Sequence, residues 1–216
     1  MSEPASRRKR LPTEGPVPGV TSDELTLAQD LAARVCHDLG GAVGIVAGML
    51  DLVGDADGEA LADAREGAAE LRRRLLLWRA ATGGAGPLAL SDISDLSKGQ
   101  LAGGRATLSL KSAPPLSAES GQILLLAAMV AAEALPRGGT VEIASESGEV
   151  LVLPDGPLVR WPAAVLALLS GQAVEAGPRS VLPRLLLLLA RAHGWDIDVL
   201  TGNGAGAPMV LRPPRG

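Results

Sequence analysis

The feature that most constrains the fold of this chain is an apolar seam whose members step alternately by three and four: Leu61, Ala64, Ala68, Leu71, Leu75, Trp78 and Thr82. A seam of that period stays on one face of a helix, so it predicts a long helix. Upstream, Ala28, Ala32, Val35, Leu39, Val43, Val46, Leu50 and Val53 recur at the same spacings, one face of a second helix at roughly 100° per residue. Thr21-Ser22-Asp23-Glu24 reads as a capping box, because the Thr21 and Glu24 side chains can each accept a hydrogen bond from an orphan backbone N–H of the other. The first helix is therefore expected from about Ser22 to Val53. Gly54-Asp55-Ala56-Asp57-Gly58 has the composition of a turn between antiparallel helices. Closing the hairpin at Ala56 sets His37 level with about Leu75. Ile45, Leu52, Leu76 and Leu77 lie off the seam and widen the apolar surface. A second copy completing a four-helix bundle would cover it; the alternative is that these side chains pack under the second half of the same chain.

Gly83-Gly84-Ala85-Gly86-Pro87 breaks the helical pattern and marks a domain boundary. Beyond it the pattern alternates: a short helix near Ser91 to Leu101, a strand near Thr107 to Lys111, a long helix from about Ser117 to Leu135, a hairpin-like pair at Thr140 to Ala144 and Val150 to Leu153, helices near Pro162 to Leu169 and Arg179 to His193, and strands near Asp196 to Leu200 and Met209 to Arg212. That order predicts an α/β sandwich with helices on one face of a mixed sheet. The expected organisation is thus a tail over 1–20, a helical hairpin over 21–82 and an α/β domain over 88–213, an α+β chain as a whole.

Phe and Tyr are absent and Trp78, Trp161 and Trp195 are the only aromatics, so a core must be built from Leu, Val and Ala; at 47% apolar content over 216 residues there is enough of them. The same absence removes the stacking platform of most single-strand nucleic-acid binders, and a net charge of −4 gives nucleic acid little to attract. The dense basic run Arg7-Arg8-Lys9-Arg10 sits in a tail rich in Pro, Gly, Ser and Glu that is expected to be disordered; an address signal or an anion contact is the other reading. No apolar stretch of signal-peptide type follows that run, and the apolar stretch Leu185 to Ala190 is too short to span a membrane. Cys36 is the single cysteine, which excludes an internal disulfide and fits a reducing cytoplasm. Successive side chains on a helix diverge by roughly 100°, so Cys36 is expected in the core and not as a catalytic partner of His37.

His37 is one of two histidines and stands in Arg34-Val35-Cys36-His37-Asp38-Leu39. It falls opposite the apolar face, beside Asp30, Arg34, Gly41, Gly44 and Gly48. Helix glycines cost about 1 kcal/mol each relative to alanine. Several on one face predict that something approaches closely there. An imidazole nucleophile with an acidic neighbour, on a stable helix whose flank is nearly bare backbone, is the chemistry of a group handed between proteins.

The motif Arg34 to Leu39 followed by Val43-Gly44, together with Ala134-Leu135-Pro136-Arg137-Gly138-Gly139-Thr140-Val141, resembles the ChpT-like histidine phosphotransferases. The resemblance covers roughly residues 25 to 212. It implies a histidine-kinase core: a hairpin dimerising into a four-helix bundle, followed by a degenerate GHKL-type ATPase domain. It also implies a cytoplasmic homodimer that relays phosphoryl groups between receiver domains of a hybrid histidine kinase and of response regulators, using no ATP. His37 would be the phosphoacceptor. Asp38 would either hold the ring in one tautomer or act only through its charge, and Arg34 would either steady the phosphoryl oxygens or pair with the receiver's acidic rim. Gly41, Gly44, Ile45 and Gly48 would form the docking strip. No cofactor or metal is expected on this chain, magnesium belonging to the receiver. One departure is visible: the family's proline five residues after the histidine is Ala42 here, so any bend below His37 must come from Gly40-Gly41.

The resemblance also locates the residues an ATPase of this type would need. The magnesium-holding asparagine falls at Val130, which offers no oxygen ligand. Asp155-Gly156 matches a remnant of the adenine motif but is followed by Pro157, and the glycine-rich lid is replaced by Gly177-Pro178-Arg179-Ser180-Val181-Leu182-Pro183. His193 reads as a helix-end histidine that compensates the dipole. Two rival readings stand beside the carrier: an active ATP-dependent histidine kinase, and a non-enzymatic scaffold that binds receivers without accepting phosphate.

Overall fold

The computed structural model describes residues 21–52, 58–111, 118–200 and 207–214. The basic run, the turn around Ala56, Val53, the Leu52 side chain and Ser117 lie outside the described residues, and so does the whole tail to residue 20. Helices α1 (Ser22–Leu52) and α2 (Gly58–Ala81) form the hairpin. They are followed by α3 (Leu90–Ser97), a 3-10 turn (Leu101–Gly104), β1 (Ala106–Leu110), α4 (Ala118–Glu133), β2 (Gly139–Glu146), β3 (Glu149–Asp155), α5 (Ala163–Leu169), α6 (Val181–Ala192), β4 (Asp196–Val199) and β5 (Met209–Arg212).

The capping box opens α1 as expected: the Thr21 N–H donates to Glu24 Oε2 at 2.8 Å and the Glu24 N–H donates to Thr21 Oγ1 at 3.2 Å. By length and mean hydropathy alone α1 could cross a membrane, but one side of it packs within the chain. That side shares Val35, Leu39 and Val46 with the predicted stripe and departs from it at the other positions. Leu27, Leu31, Val35 and Leu39 pack against the core and Ala42 is 2% exposed, whereas Val43 and Leu50 are about half exposed (50% and 52%) and Ala28 and Ala32 are exposed. A helix this rich in Leu, Val, Ala and Gly carries more than one apolar stripe, and the larger side chains, not the most regular spacing, mark the buried one.

In α2, Ala60, Ala64 and Trp78 are buried and Leu71 is half-buried, but Leu61, Leu75 and Leu76 are exposed and Leu77 is buried in the main core. Leu77 therefore belongs to this chain's own packing and not to a surface for a second copy. The hairpin closes on small residues. A side chain at Gly67 would meet Val46 Cγ2 at 3.0 Å. The register agrees with expectation, Arg74 Nη1 donating to the Asp38 carbonyl at 3.0 Å, one step along from the level of His37 and Leu75.

The five strands form one mixed sheet in the order β1-β2-β3-β5-β4, with β1 and β2 parallel and the other pairs antiparallel. Along β3 burial alternates residue by residue, Val150 and Val152 pointing into the core, as period-two side chains must when one sheet face is covered. The cover is α4, an apolar helix whose residues Ile123 to Ala128 are all fully buried, with α5 and α6 beside it. The Pro136-Arg137-Gly138-Gly139 motif has a structural task here. Gly138 lies at φ +79°, and a Cβ at Gly139 would come within 2.2 Å of the Asp155 carbonyl, so only glycines let β2 start flush between β1 and β3.

Candidate functional site: the His37 corner

α1 reaches the second half of the chain through two charged residues one turn apart. Arg184 of α6 donates to Asp30 Oδ2 at 3.2 Å. Arg34 donates from Nε to Asp38 Oδ2 at 3.1 Å, from Nη2 to Glu133 Oε1 at 2.8 Å and from Nη1 to the Pro178 carbonyl at 3.2 Å. Asp30 and Arg34 thus face the α/β half instead of sharing an open outer strip with the glycines. The Arg34 side chain is 21% exposed and each nitrogen of its planar fork has a partner inside the chain.

His37 lies just beyond this clamp with its side chain 84% exposed. Nδ1 stands 3.1 Å from Asp38 Oδ1. A carboxylate can only accept, so in a neutral ring the nitrogen that faces it would carry the proton and Nε2 would keep the lone pair. Adjacent helical side chains ordinarily point apart. Here they meet because Arg34 pulls the Asp38 carboxylate along the helix, leaving its second oxygen turned to the ring.

Below the histidine, α1 runs unbroken through Gly40, Gly41 and Ala42. A side chain added at Gly40, Gly41, Gly44 or Gly48 would meet nothing within 4 Å, and Ile45 is 56% exposed. The glycine strip is bare, as read from the sequence. Cys36 is exposed beside the histidine and is not the core residue expected; its neighbours Val35 and Leu39 take the buried side of that turn. On the inner side of His37 a cleft of about 840 Å³ opens between hairpin and sheet domain, walled by His37 and Gly41 of α1, Arg74 and Trp78 of α2, and Arg105 and Met129 of the second half.

Glu133 was not among the sequence candidates. It ends α4 as the lone charge after the apolar run, with its side chain 21% exposed. Burial pushes its carboxyl above the ordinary value, Arg34 pulls it back, and Asp38 adds to the push. Val130, one turn earlier, is fully buried. Asp155 is exposed at the end of β3, and Gly156 packs so closely on the Gly138 carbonyl that a Cβ there would come within 2.5 Å of it.

The family described as "Histidine phosphotransferase C-terminal domain" matches residues 90–204, more than half of the chain. The chain belongs to the ChpT-like histidine phosphotransferase family. The protein phosphotransferase ChpT of Brucella abortus (strain 2308) is 28% identical over 193 residues, covering 83% of this chain and 92% of that one. A solved bacterial phosphotransferase superposes with a TM-score of 0.71 at 27% identity, covering 89% of this chain and 97% of its own. Membership of this family supports a phosphotransfer role in two-component signalling.

Proposed function

We propose that this chain is the phosphoryl carrier of a phosphorelay, passing the group between receiver-domain aspartates through His37 without using ATP. The observation that supports this best is the state of the ring: exposed, with Nδ1 held by Asp38 and Nε2 free, next to a helix flank that offers a partner bare backbone.

In the forward step the Nε2 lone pair attacks phosphorus of the receiver's aspartyl phosphate in line. The P–N bond forms as the P–O bond to the receiver's carboxylate breaks, and that carboxylate leaves as the anion. The Nδ1 proton stays on the ring against Asp38. The return step to a second receiver reverses these bonds. A loose phosphoryl transition state needs mainly positioning and charge stabilisation, which the receiver's own acidic pocket and magnesium would share with this corner. Asp38 fixes the ring, Arg34 fixes Asp38, and Gly41, Gly44, Ile45 and Gly48 form the docking strip.

Independence from ATP is supported by Val130, a fully buried hydrocarbon at the position where magnesium would need an oxygen, and by Pro178, whose carbonyl is engaged by Arg34 where a glycine-rich lid would have to move. The half-exposed apolar residues of the hairpin support a homodimer through a four-helix bundle, the second half then being a degenerate GHKL-type domain. Receiver domains of a hybrid kinase and of response regulators are the proposed partners, in the cytoplasm.

Incubation with a phosphorylated receiver should place an acid-labile label on this chain, and His37→Ala should abolish it while shifting stability by no more than about 0.5 kcal/mol, since the side chain is surface-placed. Titration of the same protein with a non-hydrolysable ATP analogue should give no binding heat. Unchanged labelling of His37→Ala would remove the acceptor assignment, and a micromolar dissociation constant for the analogue would restore the kinase reading.

A further inference from the structure

We infer that Glu133 is a positioning residue for phosphoryl transfer: through Arg34 it holds Asp38 against the His37 ring, so that the tautomer of the nucleophile depends on the second half being docked on the hairpin. This rests on His37 being the acceptor, and it adds a residue 96 positions away in the chain and on another element.

Left to α1 alone, the pairing of Arg34 with Asp38 is weak. An i,i+4 ion pair on an isolated helix contributes little, and less when the cation precedes the anion, as it does here. Arg34 would then visit many rotamers and Asp38 with it. Glu133 changes this because its carboxylate takes Nη2 at 2.8 Å while the Pro178 carbonyl takes Nη1 at 3.2 Å. With two edges of a rigid guanidinium fixed from the other domain, Nε can point in one direction only, onto Asp38 Oδ2. The carboxylate plane is fixed in turn, and Oδ1 faces Nδ1.

Packing alone does not account for a glutamate at this position. It follows a helix of fully buried Ile, Leu, Val and Ala residues, and its burial disfavours the charged form. Burying such a pair costs desolvation that an apolar replacement would avoid. What the charge adds is direction: one conformation of Arg34, hence one of Asp38, hence one tautomer of His37. Outer partners that orient an imidazole act on activity through this kind of chain.

The test uses the full chain with Glu133→Gln, which keeps shape and removes charge, and Glu133→Met, which keeps volume and removes hydrogen bonding. The ring nitrogens of His37 are read by ¹⁵N NMR in the unphosphorylated protein, and transfer from a phosphorylated receiver is followed in single turnover over a range of receiver concentrations. The expected result is a mixture of the two ring tautomers and a saturated rate lower by about tenfold, the lower end of what loss of an outer partner does to an oriented imidazole, at an unchanged half-saturating concentration. Thermal stability of Glu133→Met should fall, because Arg34 stays largely buried and loses a charged partner. The inference is overturned by wild-type ring shifts in both variants, by altered shifts with an unaltered saturated rate, or by a loss confined to stability or to receiver affinity. If no receiver labels wild-type His37, the proposed function fails, while the ring shifts still decide the link between Glu133 and the tautomer.

Discussion

From Ile123 to Ala128 every side chain of α4 is fully buried, whereas on the hairpin Val43, Ile45, Leu50 and Leu75 each leave half or more of their surface open. The two regions are built from the same few residue types, so composition does not separate them. Neighbours do. α4 is enclosed by the sheet, α6 and α2, and its apolar surface is matched within one chain. The hairpin has two helices that cover each other on one side only, through Ala42, Ala60, Ala64 and Gly67. Its remaining stripe is matched by nothing among the described residues, and fully burying one Val, Leu or Ile contributes about 1.5–3 kcal/mol. A hairpin left half covered supports the proposed second copy and the proposed approach of a partner along its glycines.

The largest effects should come from breaking the enclosed side of this comparison. Leu126→Ala removes a fully buried side chain and should cost about 2–5 kcal/mol, read as a fall in the denaturant midpoint. Leu75→Ala on the open side should change the stability of a single chain by no more than about 0.5 kcal/mol. Equal losses at the two sites would mean that the hairpin stripe is covered, whether within the chain or by a second copy.

The next effect in size concerns the proposed homodimer. Placing charge on the open stripe with Leu75→Glu and Leu76→Glu should halve the mass seen by light scattering at micromolar concentration while circular dichroism keeps its helical signal. A wild-type chain that is itself monomeric under those conditions would show that the stripe serves something other than a second copy.

Much of this contrast could be read from the sequence, for reasons that differ between the regions. The order of strands and helices in the second half follows from local patterns, since short apolar runs such as Val150 to Leu153, and the turn residues between them, are decided within a few residues. The hairpin register was legible because turn length fixes it, and Arg74 on the Asp38 carbonyl keeps the expected pairing. What could not be read was which of two apolar stripes on α1 turns inward, because periodicity records that a stripe exists and not what covers it. The same ambiguity misplaced Cys36 and assigned Leu77 to the dimer surface. Glu133 was invisible for a different reason: its role depends on a contact across 99 residues with Arg34, and the signal it did give, a single charge closing an apolar helix, is shared by many helix ends.

A smaller effect is expected on the glycine strip. A side chain at Gly44 meets nothing within 4 Å, so Gly44→Leu should raise helix stability by about 0.5–1 kcal/mol. The same leucine would stand where the receiver is proposed to approach, and transfer to His37 should slow several-fold with the nucleophile unchanged. More stable protein with slower transfer is the combination that identifies a docking surface. Normal transfer by Gly44→Leu would move the receiver to another face.

The smallest effect should be confined to the first turn of the hairpin and leave the sheet domain untouched. The Glu24 carboxyl is held below its ordinary value of 4.5 because the Thr21 backbone N–H donates to it, and the Thr21 hydroxyl adds a second hydrogen bond. The folded state therefore releases the Glu24 proton more readily than the unfolded state. Its contribution is fully present above pH about 4.5 and is lost as pH falls through the lowered value. The protection of the Leu25 and Thr26 amides, corrected for the intrinsic pH dependence of exchange, should fall over that range while the amides of Val141 and Val152 stay protected. In Glu24→Gln the corrected protection of the first turn should stay constant across the same interval, because the substituted side chain has no proton to gain. A parallel fall in the sheet would mean that acid opens the whole molecule, and that the hairpin end and the α/β core unfold as one unit.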